Sequence, residues 1–279
     1  MKPSRLNHLF AGALILAHVV FISCDKNPAK PEQKAPDLPP ASSMNLDLNA
    51  FKTAANLGKA NGTQSAIGLN FITAYSVVTI INASVTLILS VPAYVFAAAM
   101  QQQPLLDPND GKFHWIYSVT DSSGQTFKAD LAGWVDQGEL ESRWEMRITA
   151  TSNNPPLNNF LWLEGRAKLD NSSGYWDFYD GEKPATPTKA LHIEWQIPSA
   201  TKATLQFTAV DPNSPDNGDQ LTYRTDGDLR WVTHYDRSES KFVEISWNEV
   251  SHTGYIIAPG YNNGQKSCWD ALLNDVVCP

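Results

Sequence analysis

Charge is missing from one long stretch of this sequence: between Lys59 and Asp107 there is no Asp, Glu, Lys or Arg. Elsewhere basic residues are scarce and scattered, with 21 Lys and Arg against 29 Asp and Glu and a formal net charge of −8. Such a surface repels phosphate backbones, which argues against nucleic acid as a partner. The sequence also lacks a G-x-S-x-G elbow and a glycine-rich phosphate loop, and its 6 histidines never fall in a spacing such as H-E-x-x-H. These absences leave no motif for a cofactor, a metal or a nucleophilic hydrolase.

Cysteine is nearly absent as well, with only Cys24, Cys268 and Cys278. Ahead of the first stand Lys2, Arg5 and a charge-free apolar run over 9–22. This is the plan of a secretory signal, and the run is too short for an ordinary membrane span. It ends in Phe21-Ile22-Ser23-Cys24, which resembles the lipobox of bacterial lipoproteins, with Phe21 where Leu is usual. The resemblance is confined to this leader. It implies a signal peptide over 1–23, cleavage before Cys24 and lipid on that cysteine. The implied address is the cell envelope, on a membrane facing the periplasm or the exterior. Residues 24–43, rich in Pro, Lys, Ala and Ser, read as a flexible tether between anchor and domain.

With Cys24 lipidated, Cys268 and Cys278 form an even pair in an oxidising compartment and read as a disulfide. Ligation of a metal by the two cysteines is the alternative. The segment 269–273 looks like a turn or two of helix. A helix across the whole interval would hold the sulfurs about 15 Å apart, so the chain must double back near Asn274-Asp275.

The remainder, 44–279, reads as a single domain with a helical part over 44–104, a sheet over 112–260 and a disulfide-closed tail over 261–279. An amphipathic helix is expected over 44–59, ended by Asn61-Gly62. The run 66–100 is apolar on all sides, and Pro92 should kink it. A helix of this kind belongs in a bilayer or inside a protein. Burial in protein is expected here, because Asn82 and Pro92 would fall near mid-membrane. A second crossing would also carry the cysteine pair away from oxidising conditions.

From Phe113 onward the period changes to two. In 143–148, Trp144, Met146 and Ile148 face one way and Arg143, Glu145 and Arg147 the other. Similar runs occupy 113–117, 127–135, 160–169, 175–179, 191–197, 203–207, 221–225, 229–235, 242–247 and 254–258. Turn residues separate them, Asp226-Gly227 most clearly. The expected fold class is α+β, mainly β: an antiparallel meander of about ten strands. A flat sheet of that size would be almost 50 Å wide against a helix about 10–12 Å thick. The sheet is therefore expected to curl, as a half-barrel or barrel, around the N-terminal apolar helix.

Candidate chemistry is thin. His114, His192, His234 and His252 read as solvated surface residues. The acidic loops around Asp107 and Asp211 could hold calcium but resemble ordinary turns. Asp177 and Asp180 fall on opposite faces, which spoils a glycosidase-like pair. Among the 9 tryptophans, Trp115, Trp144 and Trp195 share a face with aliphatic residues and belong to a core. Trp134, Trp176 and Trp247 are the candidates for exposed rings. The expectation is a non-enzymatic protein of binding or scaffolding type, held to the membrane by its N-terminal lipid, with an apolar ligand between helix and sheet. The alternatives are a carbohydrate-binding module using exposed Trp residues and an envelope hydrolase built from scattered carboxylates.

Overall fold

Strand alternation in the sequence becomes one continuous antiparallel sheet in which every strand pairs with the next. The structure is a computed structural model that describes residues 34–46, 48, 51, 67–121 and 124–279. The leader, Cys24 and most of the expected 44–59 helix lie outside the described residues. A short 3-10 turn at Ala41–Met44 precedes a long helix, α1 (Leu69–Ala99). It is followed by β1 (Leu105–Leu106), β2 (Phe113–Thr120), β3 (Thr126–Asp136), β4 (Glu141–Ala150) and β5 (Leu157–Lys168). Next come β6 (Ser173–Tyr179), β7 (Lys189–Ser199), β8 (Lys202–Ala209), β9 (Gln220–Asp226) and β10 (Leu229–Asp236). The last are β11 (Lys241–Asn248), β12 (Gly254–Ile257), β13 (Ser267–Trp269) and β14 (Asp275–Val276). The described residues of Ala35–Pro279 belong to one compact unit.

Each of the eleven expected runs is a strand. The sheet also gains β1, β13 and β14, for a total of 14. Closure does not occur: β1 and β14 are its two edges and do not pair with each other. The barrel is thus corrected to an open sheet. The helix α1 crosses the strands: its N-terminal end is tied to β13 and β14 and its C-terminal end to β2. A helix of 31 residues is about 46 Å long. Twelve strand spacings, from β2 to β14, come to about 58 Å along a flat sheet. One helix of this length touches strands near both edges of the sheet, so the edges need not meet each other for the apolar face to be covered at its ends.

Burial of α1 by protein is only partial. Among the described residues, Leu69–Thr86 is long and apolar enough to cross a membrane, yet only 17% of it is buried. Phe71, Ala74 and Val78 face the sheet, while Ile72 and Ile80 are exposed. Ser76, Thr79 and Ser84 donate their hydroxyls to the carbonyls of Ile72, Tyr75 and Ile80. By turning onto their own backbone these polar groups leave the outward side without charge and with few free donors. The expectation of a helix wrapped on all sides is corrected to one that packs along a single side.

A second piece of chain covers the inner face. Residues from Ala35 onward dock on the sheet, with Ser43, Met44, Leu46, Leu48 and Phe51 buried. Asn171 donates to the carbonyls of Asp37 and Leu38 at 3.2 Å, and the Trp176 indole N–H donates to Ser43 Oγ at 3.0 Å. Phe51 lies 4.7 Å from Trp247 and 5.3 Å from Phe71 between ring centroids. The flexible tether expected to reach residue 43 therefore gives way to a fixed strap by Ala35. Met44 closes a 3-10 turn and Asn45 is extended, so the expected helix does not begin at 44.

The inner face has a repeated packing device. Trp144 lies between Gly133 and Gly165, Trp176 pairs with Gly165, Trp195 with Gly174, and Trp269 with Gly254. The Trp144 ring rests on the space a Cβ would fill at Gly133, and Trp176, Trp195 and Trp269 do the same at Gly165, Gly174 and Gly254. The strands thus approach while burying large rings from β4, β6, β7 and β13.

Candidate functional site

Between α1 and the middle strands lies a cavity of about 400 Å³. The helix contributes Val77, Ile80, Ile81, Val85 and Leu89. Leu191, Phe207, Ala209, Leu221 and Val243 come from β7, β8, β9 and β11. The polar lining is Ser84, Asp219, Gln220 and His234. This wall arises because α1 is held close to the sheet at its two ends. At its start, Leu69 and Asn70 donate backbone N–H groups to the Asp275 carboxylate at 3.1 and 2.9 Å. At its far end, Tyr117 donates its hydroxyl to the Val95 carbonyl at 2.6 Å. Burial pushes the Tyr117 hydroxyl pKa far up, so it stays a donor. A volume of this size is in the range of small-molecule sites, and a mostly apolar wall with a few grouped polar atoms is their usual composition.

His234 shares a strand face with Val232 and borders the cavity, so its expected place on the solvent side is corrected. His252 sits in a turn at φ 59°, as expected of a turn residue, and its carbonyl accepts from the Trp269 indole at 2.8 Å. His114 and His192 lie on the outer face but are held by carboxylates. His114 Nδ1 is 2.7 Å from Asp130 and Nε2 is 3.1 Å from Asp110. His192 Nδ1 is 2.7 Å from Asp177, which also accepts from Lys189 at 2.8 Å. Glu164 joins this network through Lys189 and the Tyr179 hydroxyl. Burial and the Glu164 bond raise the Tyr179 pKa to about 12. Asp177 meets His192 because the two are direct cross-strand partners, a register that no motif announces. Both oxygens of Asp177 are used within the network, and Asp180 lies past the end of β6 beside Lys183. The two acids do not face each other.

Asp107, Asp110 and His114 bring one potential metal-ligand atom each within 4.8 Å of one another. All three already serve the loop itself. Asp107 accepts from Asn109 at 2.8 Å, Asp110 accepts from the Lys112 N–H at 2.9 Å, and His114 bridges Asp110 and Asp130. The loop at Asp211 is an ordinary turn in which Asp211 accepts from the Asn213 N–H at 2.9 Å.

The His114 bridge has a pH signature. Desolvation, the largest single influence, lowers its pKa, but the hydrogen bonds and charges of Asp130 and Asp110 together outweigh it and raise it. A raised folded-state pKa stabilises the fold fully below the unfolded value of 6.5, and that contribution fades as pH climbs through the folded value. His114→Gln is therefore expected to destabilise the protein at pH 6 and to differ less from wild type at pH 9. Urea midpoints across that range measure it; a gap that widens with pH would contradict it.

The candidate aromatic platform is not assembled. Trp176 and Trp247 are 0% and 3% exposed, which corrects the expectation that their rings lie open. Trp134 is half-buried, with the Lys112 ammonium 3.9 Å from its ring centroid. The other half-buried indoles are Trp162, stacked near Phe127 at 6.0 Å, and Trp231, covered by Arg224 at 4.1 Å. These cations and rings occupy faces a sugar would need.

Cys268 and Cys278 form a disulfide with Cα atoms 5.2 Å apart. The chain doubles back where expected, but through the β13–β14 hairpin, with Cys268 opposite Val276 and Trp269 opposite Asp275. Trp269 is in a strand and the turn follows, so the expected helical turns over 269–273 are corrected to a hairpin. Comparisons of this chain with protein-family models, with curated proteins and with solved structures found no match.

Proposed function

We propose that this chain is a lipid-anchored cell-envelope protein of non-enzymatic binding type that holds an apolar ligand between α1 and the sheet. The observation that carries the reading is the apolar cavity of about 400 Å³ beneath the middle of α1. In this reading the open sheet bows away from the helix as a half-barrel, touching it near both ends and standing off between them. The leader and Cys24 supply the address, with the membrane as first partner through the lipid. Sugar binding is not favoured, because Trp176 and Trp247 are internal.

The test is titration with a neutral fluorescent probe, N-phenyl-1-naphthylamine. One saturable site per chain is expected, lost in Ala209→Phe with an unchanged urea midpoint. Should that variant fail to fold, Ser84→Trp, at an exposed helix position on the cavity wall, blocks the same space. Absence of a saturable site, or its survival in a folded blocking variant, overturns the reading. For the anchor, Cys24→Ser is expected to abolish metabolic palmitate labelling, and labelling that persists places the lipid elsewhere.

A further inference from the structure

The side of α1 turned away from the sheet is an uncharged stripe. Leu69, Ile72, Ser76, Thr79, Ile80 and Ala83 are exposed and fall within about 100° of the helix circumference. No Asp, Glu, Lys or Arg interrupts the sequence between Lys59 and Asp107. Ser76 and Thr79 donate their hydroxyls to the Ile72 and Tyr75 carbonyls, so neither presents a free donor that lipid would leave unpaired. Charged side chains stand on the opposite face of the sheet, where Arg143, Glu145, Arg147 and Glu194 alternate with buried residues. Leu69–Thr86 is long and apolar enough to cross a bilayer. Yet α1 is tied to the sheet at both ends, by Asp275 at Leu69 and Asn70 and by Tyr117 at Val95. A helix held in this way meets a membrane side-on.

The N-terminal chain favours a bilayer as the occupant. The strap lies on the same face of the sheet as α1: Ser43 accepts from the Trp176 indole, whose ring stands 5.3 Å from Phe96 of α1. Ala35 packs against the core and follows Cys24 by 11 positions. An extended chain of that length spans about 40 Å at most. A lipid on Cys24 therefore keeps the bilayer within reach of the helix side. Tethering also raises the effective concentration of a contact too small to hold the protein alone. We propose that the outward stripe of α1 rests in the headgroup–acyl boundary of the membrane that carries the lipid, with the helix axis parallel to the membrane plane. The charged face of the sheet then looks away from the bilayer. The inference rests on the lipid-anchor reading and adds to it a second contact, made by protein; it needs no ligand in the cavity.

The test places a nitroxide on the full chain in phosphatidylcholine vesicles. With Cys24 lipidated and Cys268 bonded to Cys278, an introduced cysteine is the free thiol for labelling. Ile72→Cys, Ser76→Cys and Ala83→Cys lie on the stripe and off the cavity wall, and Glu194→Cys is the control on the opposite face. Power saturation is expected to find the helix labels open to oxygen and shielded from a water-soluble nickel chelate, with the control still open to the chelate. Chelate access at all three helix positions equal to the control's overturns the proposal. So does dipolar broadening between helix labels with both reagents shut out, which would assign the stripe to a second copy of this chain. Intact mass separates this failure from that of the anchor. A chain without lipid sinks both readings, whereas a lipidated chain with chelate-open helix labels sinks the membrane face alone.

Discussion

Gly165→Val is expected to lower the unfolding free energy by about 3 kcal/mol or more, in the upper range for overpacked cores. Gly165 pairs with Trp144 on one side and Trp176 on the other, and both rings are almost completely buried. A Cβ at this position would overlap the Trp176 ring and stand 2.5 Å from the Tyr175 carbonyl oxygen. The carbonyl belongs to the neighbouring strand and cannot turn aside as a side chain could. Alanine should already be costly, and valine more so. Gly260, where an added Cβ meets nothing within 4 Å, supplies the control: Gly260→Ala should stay within about 0.5 kcal/mol of wild type. Urea midpoints with an unchanged slope measure all three. Trimming the ring in Gly165→Ala/Trp176→Leu should recover part of the loss by removing one of the two obstacles. A Gly165→Ala protein as stable as wild type would mean that the indole does not rest on this glycine.

The glycine–tryptophan pairs also show what alternation can and cannot reveal. In β4 the pattern Trp144, Met146, Ile148 against Arg143, Glu145, Arg147 fixes the buried face without further help, and those three residues are buried. In β6 it fails, because Trp176 and Phe178 on one face compete with Tyr175 and Tyr179 on the other. Only the partner strand shows that Trp176 turns inward. Trp247 was legible: it shares parity with Val243 and Ile245, opposite Glu244 and Ser246. The strands β1, β13 and β14 are two or three residues long, and a period of two has no meaning over so few positions. The strap was hidden for a different reason. Its Pro- and Lys-rich composition has little to bury before Ser43, yet the carbonyls of Asp37 and Leu38 are caught by Asn171, and backbone acceptors leave no trace in composition.

The cavity was legible as a need and not as a place. A sheet with one apolar face and an uncharged helix must meet, but the crossing direction follows from where the helix ends are tied. Asp275 and Tyr117 make those ties, and neither belongs to a motif. The histidines illustrate the same limit. His234 reaches the cavity and His192 reaches Asp177 through strand face and register, which a single strand read alone does not convey.

Opening the Cys268–Cys278 disulfide is expected to cost about 2.5–3 kcal/mol on chain-entropy grounds, for cysteines separated by 10 positions. Its effect should also reach the start of α1. Gly68 stands at the N-cap and has no side chain to offer the first turn. Asp275 supplies the missing acceptor, placing a negative charge at the positive end of the helix. Asn70 donates to the Cys268 carbonyl at 2.7 Å, and the Gly68 N–H donates to the Leu273 carbonyl at 2.8 Å. The cap is thus presented by the hairpin that the disulfide closes. Asp275→Ala should cost about 1–2 kcal/mol while the disulfide is intact. In Cys268→Ala/Cys278→Ala the hairpin can already separate from the helix, so adding Asp275→Ala should cost less than it does alone. Hydrogen exchange of Asn70, Phe71 and Ile72 should quicken in the disulfide-free protein, while amides in β4 change only as far as global stability does. Strict additivity, together with unchanged exchange at those three amides, would separate disulfide from cap and leave the helix start to be held by Phe71 packing against Trp269 and Phe51.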